Sequence, residues 1–174
     1  MSASRPLHGP RPNRRRLLGA LATAPALLGV GALQAVPAQP GEAVAWPEVT
    51  LLDGSRFGPA QWRDKAAVVV FWSTTCPFCL RHNAHVEKLR RAAAGRALEI
   101  LTVARERDPA VVRAYLGRHG YGFRVTLDQA PMAAALSTRR VIPLTAVVER
   151  SGRLKQLIPG EMFEEDVMEL LGLV

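Results

Sequence analysis

Cysteine is scarce in this chain of 174 residues, which contains only Cys76 and Cys79. Two cysteines exclude the multi-bridge framework of small secreted domains and a zinc site made of four cysteines. Acidic residues are absent before Gln39. Internal repeats are also absent, which excludes a solenoid or a repeat array. What remains is a chain whose chemistry is concentrated in one cysteine pair.

Residues 1–38 have the composition of an export signal. A basic head precedes an uncharged stretch from Leu17 to about Val36 that is rich in Leu, Ala and Gly. The basic head contains Arg5, Arg11, Arg14, Arg15 and Arg16. Residues 13–18 resemble the twin-arginine pattern, although the general secretory route stays open. Cleavage is predicted after Ala38 or after Ala45, and an uncleaved membrane anchor is the alternative, because about 20 apolar residues span a bilayer.

Either interpretation places the rest of the chain outside the cytoplasm, in the periplasm, where disulfides persist. The formal net charge is +8 for the whole chain, and removing the five arginines of the signal leaves +3. The basic character therefore belongs mostly to the signal, and no nucleic-acid partner is expected. We predict a linker at 39–47 and one domain with one core at 48–174.

The motif Cys76-Pro77-Phe78-Cys79 lies between an apolar run, Ala66 to Trp72, and a helix-like segment. At the start of a helix, free backbone N–H groups and the helix dipole stabilise the thiolate of Cys76. Cys79 would lie one turn further on, less exposed and close enough to resolve a mixed disulfide on Cys76. The spacing predicts disulfide exchange with other proteins, with the Cys76–Cys79 disulfide as the redox group and no other cofactor.

Two other interpretations of the cysteine pair are less favoured. A purely structural disulfide is disfavoured, because so short a loop contributes little chain entropy. A metal site would need two more ligands, and His82 and His85 continue the three-residue spacing. Each step of three rotates about 300° around a helix, so Cys76 and His85 would face opposite sides. No metal site is predicted, and both histidines are predicted to be solvated.

The remaining pattern predicts an α/β domain with a mixed sheet and helices on both faces. Asp53-Gly54 favours a small hairpin before the first long strand. The predicted elements after that hairpin are strands 66–72, 99–104, 123–127, 145–149 and 154–158, and helices 77–94, 109–118, 132–136 and 163–171. The last two strands flank Ser151-Gly152, which suits an antiparallel turn.

The run from Phe71 to Cys79 resembles the FWATWCxPC motif of TlpA/ResA-like thiol-disulfide oxidoreductases. Thr75 replaces the usual tryptophan, and Phe78 replaces the usual proline before the second cysteine. The resemblance extends from about Val49 to Leu171. It implies a thioredoxin-like fold, here with an N-terminal hairpin extension.

Val141-Ile142-Pro143 is similar to the cis-proline loop of that family, with a loop proline that merely starts a strand as the alternative. The resemblance implies that Pro143 faces the cysteines and that Ile142 pairs with the substrate. It also implies that Trp72, Pro77 and Phe78 lie at the substrate-binding surface, where Trp72 would shield the cysteines. A simple core tryptophan is the alternative for Trp72.

The position of the buried acid of thioredoxin is occupied by Val70, which cannot carry a proton. Relatives similar to ResA have an acid after the next strand, and Glu106 is the candidate acid/base there. A surface charge run over residues 105–108 is the alternative interpretation.

The implied function is a periplasmic protein-disulfide reductase whose substrates are envelope thiol or disulfide proteins. Apocytochrome c, in cytochrome c maturation, or a copper-site assembly factor would be such a substrate. A membrane thiol reductant of the CcdA or DsbD kind would regenerate the protein. The alternatives are an oxidase like DsbA and a copper metallochaperone like Sco. Sco proteins space their cysteines by three residues and add a distal histidine, for which His119 is the available residue here.

Overall fold

The computed structural model describes residues 36–173. Residues 1–35, which include most of the predicted export signal, lie outside the described residues. The strands are β1 (Val49–Thr50), β2 (Arg56–Phe57), β3 (Ala66–Trp72), β4 (Leu98–Ala104), β5 (Arg124–Thr126), β6 (Leu144–Val148) and β7 (Leu154–Pro159). The helices are α1 (Pro59–Trp62), α2 (Pro77–Ala92), α3 (Pro109–His119), α4 (Gln129–Leu136) and α5 (Glu164–Glu169), and α5 runs into a 3₁₀ turn (Leu170–Leu173).

Five strands form one mixed sheet in the order β5-β4-β3-β6-β7. Strand β3 pairs in parallel with β4 and antiparallel with β6, so it lies at the centre. The β1–β2 hairpin forms a separate two-stranded sheet, as the Asp53-Gly54 turn predicts. This is the thioredoxin-like mixed sheet with an N-terminal hairpin that the sequence predicts.

Every residue of β3 is buried, because both faces of the sheet are covered. Alternate side chains of the strand enter two different cores. Val68, Val70 and Trp72 pack with helices α2, α3 and α5. Val69 and Phe71 pack with α1, α4 and the hairpin. The end of a doubly buried strand is a rigid position, and the cysteine motif follows directly after it.

Two helix starts follow from local sequence signals. Helix α2 has Pro77 in its first turn and Cys76 as its N-cap residue. Helix α3 has Pro109 in its first turn, and the Asp108 carboxylate accepts a hydrogen bond of 2.8 Å from Ala110 N–H. Helix α3 ends at Gly120, whose φ of 67° is a left-handed conformation that glycine adopts without steric cost.

The segment before the hairpin, predicted to be a linker, is attached to the domain. Gly41 N–H donates to Leu154 O at 2.7 Å, and Leu154 N–H donates to Glu42 O at 2.8 Å. Trp46 stacks on Trp62 with ring centroids 3.9 Å apart. This segment is therefore held at the start of β7 by Gly41 and Glu42 and on α1 by Trp46. No helix within residues 36–173 has the length and apolar character needed to cross a bilayer.

Candidate active site

The two cysteines lie where the central strand β3 passes into helix α2. Cys76 is the N-cap residue and is partly exposed, whereas Cys79 lies one turn on and has no exposed surface. The Cys79 backbone N–H donates to Cys76 Sγ at 3.2 Å. Cys76 Sγ therefore takes up one of the backbone N–H groups that a helix start leaves without a partner inside the helix. Of the two cysteines, only Cys76 can attack another molecule or be attacked by one.

The second thiol, Cys79, is held in its protonated form by burial. Burial, followed by the hydrogen bond to Cys76, raises the pKa of Cys79 to about 12. At neutral pH, Cys79 is therefore a protonated thiol. The pair combines an accessible sulfur at a helix start with a protected thiol behind it. This asymmetry is what stepwise disulfide exchange requires.

The loop before β6 faces this pair. The Ile142–Pro143 peptide bond is cis, as the sequence predicts. The Ile142 carbonyl oxygen lies 4.0 Å from Cys76 Sγ, and Pro143 is buried beneath it. Pro143 O accepts a hydrogen bond of 2.8 Å from Gly160 N–H. The structure thus brings Ile142 and Pro143 to Cys76 across a long sequence separation.

Exposed apolar side chains surround the accessible cysteine. Phe78 is 55% exposed, Val141 is 41% exposed and Leu80 is 40% exposed. The Arg81 guanidinium lies over the Phe78 ring at 5.2 Å from its centroid. Pro77, also exposed, completes this surface. Apolar side chains exposed beside a reactive group are suited to contact a partner.

Trp72 does not belong to this exposed surface. It has no exposed area and packs in the core, with its ring centroid 4.9 Å from that of Tyr115. The sequence interpretation that placed Trp72 at the substrate is therefore corrected, because a residue enclosed by α2, α3 and the sheet cannot touch substrate in this conformation. Trp72 supports the loop before the cysteines from beneath.

Glu106 is attached to the loop before the cysteines rather than solvated in a surface charge run. Its Oε1 accepts hydrogen bonds from Ser73 Oγ at 2.9 Å, Thr74 N–H at 2.6 Å and Thr74 Oγ1 at 2.9 Å. Its Oε2 is buried and has no hydrogen-bond partner among the described residues. One carboxylate oxygen fixes the loop, and the other is left without a hydrogen bond within the described residues.

Arg105 is a site residue that the sequence analysis missed. Its backbone N–H donates to Trp72 O at 2.8 Å, and its guanidinium donates to the carbonyl oxygens of Arg139 and Arg140. Arg105 therefore connects the end of β3 to the loop that carries cis-Pro143. Arginine is suited to this role because its planar head donates several hydrogen bonds in fixed directions.

His82 is a second site residue that the sequence analysis missed, and the prediction that it is solvated was wrong. It was predicted to be solvated, but it has no exposed surface. Met162 N–H donates to Nδ1 at 3.3 Å, and Nε2 lies 3.1 Å from Thr145 Oγ1. The position three residues after the buried Cys79 lies on the same helix face, a signal that was available in the sequence. His85 is half-buried, with Nδ1 3.2 Å from Met162 O.

Within residues 36–173, no group of three or more His, Cys, Asp or Glu side chains is arranged to hold a metal ion. The site that the fold presents is therefore the cysteine pair with its facing proline, its buried carboxylate and its exposed apolar surface. Its elements are the end of β3, the start of α2 and the loop before β6.

A five-stranded mixed sheet with a CxxC helix start facing a cis-proline defines a protein of the thioredoxin superfamily. Residues 39–171 match the Redoxin family model, so the chain belongs to the Redoxin family. Among its relatives is thiol-disulfide oxidoreductase ResA of Halalkalibacterium halodurans, 26% identical over 123 residues that cover 71% of this chain and 70% of that protein. Soluble secreted antigen MPT53 of Mycobacterium tuberculosis is 32% identical over 75 residues, which are 42% of each chain.

Solved structures agree on the fold. The thiol:disulfide interchange protein of Chlorobium tepidum TLS superposes with a TM-score of 0.70 and 22% identity, covering 79% of this chain and 98% of that one. StoA from Bacillus subtilis superposes with a TM-score of 0.64 and 19% identity, covering 78% and 99%. With the family match and the ResA relatives, the chain is a ResA-like protein-disulfide oxidoreductase.

Proposed function

We propose that this protein is exported to the cell envelope and reduces disulfides in other envelope proteins through Cys76 and Cys79. The observation that carries the proposal is the asymmetry of the pair. Cys76 is accessible at a helix start, whereas Cys79 is enclosed, with its backbone N–H 3.2 Å from Cys76 Sγ. The name of the M. tuberculosis relative describes a secreted protein, which supports the envelope location.

In the first step the Cys76 thiolate attacks one sulfur of a substrate disulfide. A Cys76–substrate disulfide forms, the substrate disulfide breaks, and the departing sulfur takes a proton from water. The substrate strand would lie against Ile142 and Pro143, whose peptide is already next to Cys76 Sγ. Pro77 and Phe78 would contact the apolar side chains that flank the substrate cysteine.

In the second step Cys79 loses its proton and attacks Cys76 Sγ. The Cys76–Cys79 disulfide forms, the mixed disulfide breaks, and the second substrate sulfur leaves as a thiol. Two electrons have then passed from the protein to the substrate. Because burial holds the pKa of Cys79 at about 12, a proton acceptor accelerates this step. Glu106 is the proposed acceptor, since its Oε2 is buried without a partner beside the loop that carries the cysteines.

The reductase direction is supported by the two residues between the cysteines, Pro77 and Phe78. An oxidant owes its potential to a strongly stabilised reduced form. Here Pro77 and Phe78 supply no charge to the Cys76 sulfur, and the hydrogen bond that it accepts within residues 36–173 comes from Cys79 N–H. The proposal includes regeneration by a membrane thiol reductant of the CcdA or DsbD kind.

The direction is tested by the reduction potential of the Cys76–Cys79 pair in glutathione or dithiothreitol buffers. We expect a value at or below about −200 mV, in the range of reducing members of the superfamily. A value near about −120 mV would mark an oxidant and overturn the proposed direction. The Cys79→Ser variant, which cannot form the disulfide, provides the signal for the fully reduced state.

A further inference from the structure

A cleft of about 350 Å³ opens beside Cys76, and its lining includes no residue of the cis-proline loop. One wall is the start of α2 and the loop before it. The other wall is the end of α3, where Tyr115, Arg118 and His119 line the cleft. None of the described residues that line it is acidic. A substrate chain attached to Cys76 would have this wall within reach.

The Arg118 guanidinium of this wall is available to a partner. Arg118 is exposed, and it forms no ion pair with another side chain in the described part of the chain. His119 lies between two aromatic rings, with centroids 4.5 Å from Tyr115 and 5.4 Å from Tyr121, and these contacts fix its ring. A cation in the last turn of a helix also interacts favourably with the helix dipole, so stability must be measured alongside binding.

The cis-proline loop, which reaches Cys76 through Ile142 O, carries the same sign of charge. Arg139 and Arg140 are exposed in the loop before the cis-proline, and neither is in an ion pair within residues 36–173. Their carbonyl oxygens are held by Arg105. The loop backbone is therefore fixed while its two cationic side chains remain open to solvent. Two segments next to Cys76, the end of α3 and the loop before the cis-proline, therefore carry exposed arginines.

We propose that the protein segment whose disulfide reaches Cys76 is acidic, with carboxylates on the residues that flank its cysteine. Arg118 would meet one flank, and Arg139 with Arg140 would meet the other. Complementary charge raises the association rate and selects the partner more than it strengthens the final complex. The inference rests on the proposed disulfide exchange and adds the chemistry of the substrate.

The test uses three disulfide-linked peptides of equal length whose cysteines are flanked by Glu, by Gln or by Lys. The rate of oxidation of the reduced protein by each peptide is followed by acid quenching, alkylation and mass spectrometry. Each rate is divided by the rate of the same peptide with dithiothreitol, which removes the intrinsic reactivity of its disulfide. We expect Glu to react fastest and Lys slowest, with the difference shrinking as salt is added.

Arg118→Glu should lower the Glu-to-Lys rate ratio by about two- to fivefold, the range expected of exposed charge pairs. Arg150→Glu is the matched control, because it makes the same charge change in the turn after β6, at the end of that strand away from the cis-proline. That variant should leave the ratio unchanged. Urea unfolding of both variants separates a helix-dipole role of Arg118, which would change stability without changing the ratio.

Equal normalised rates for the three peptides, a faster Lys peptide, or an equal shift by Arg150→Glu would overturn the acidic-substrate proposal while leaving disulfide exchange intact. Failure to exchange with any of the peptides would instead contradict the proposed function, and the acidic-substrate proposal would fall with it.

Discussion

Acidification should destabilise the contact between the cysteine helix and the strand after the cis-proline. His82 makes that contact as a neutral ring, because Nδ1 accepts from Met162 N–H and Nε2 then donates to Thr145 Oγ1. Burial, then the charge of His85, lowers the pKa of His82 to about 4, although Glu161 opposes the shift. Protonation would put a charge in the core and break the bond from Met162.

The magnitude follows from the two protonation equilibria. In the unfolded chain the pKa of His82 is about 6.5. Between pH about 6.5 and about 4 the unfolded chain binds a proton that the folded chain does not, so the free energy of unfolding decreases as the pH falls. The difference between these two pKa values corresponds to about 3 kcal/mol in the free energy of unfolding. The contribution of His82 is fully present above pH about 6.5 and is lost at pH about 4.

Urea unfolding at pH 7.0, 5.5 and 4.5 measures this loss, and the comparison is with His82→Gln. Glutamine offers both an acceptor and a donor but does not titrate, so the variant should lack the loss in this window. His119→Gln changes a histidine that is not fully buried and is the matched control. This variant should still lose stability between pH 7.0 and 4.5. A wild-type free energy that is the same at pH 7.0 and 4.5, or a loss that persists in His82→Gln, would refute the reasoning. If the variant does not fold, an NMR titration that shows His82 protonating near pH 6.5 would refute it equally.

Two further predictions concern the supports of the site. Glu106→Gln should lower the free energy of unfolding by about 1–3 kcal/mol, because the loop at Ser73 and Thr74 loses a charged acceptor. The same variant should slow the resolving step, which a rapid-quench measurement would detect. No change in either quantity would remove Glu106 from the account. Arg105→Met should increase hydrogen–deuterium exchange in residues 139–142, because the carbonyl oxygens of that loop lose their donor. Unchanged exchange there would contradict this role.

The sequence predicts the elements that position the cysteines closely, because each has a strong local signal. The apolar run Ala66–Trp72 is the central strand, and Pro77 starts the helix as predicted. Helix ends are less well predicted. The cysteine helix ends at Ala92 rather than Ala94, and the closing helix shortens to Glu164–Glu169 before a 3₁₀ turn. Helix ends depend on packing and on competing turn geometries as much as on propensity.

The supports of the site were harder to predict because they are contacts between distant parts of the chain. Arg105 acts on carbonyl oxygens more than thirty residues away, and backbone acceptors leave no mark in the sequence. Glu106 stands in a run of mixed charges, which is also typical of a solvated loop. Gly41 and Glu42 pair with Leu154 at the start of β7 through backbone groups, which leave no mark in the sequence either. Local patterns therefore identified the reactive pair, and tertiary contacts determined what holds it.

The most direct test of the central claim, that Cys76 attacks and Cys79 resolves, is mass spectrometry of the reduced protein after brief mixing with a disulfide-linked peptide. The account predicts that Cys79→Ser accumulates one peptide attached to Cys76. It predicts that the wild-type protein ends as the Cys76–Cys79 disulfide with the peptide released, and that Cys76→Ser forms no adduct on the same timescale. An adduct on the buried Cys79 of Cys76→Ser at a comparable rate, or no adduct in Cys79→Ser, would contradict the account.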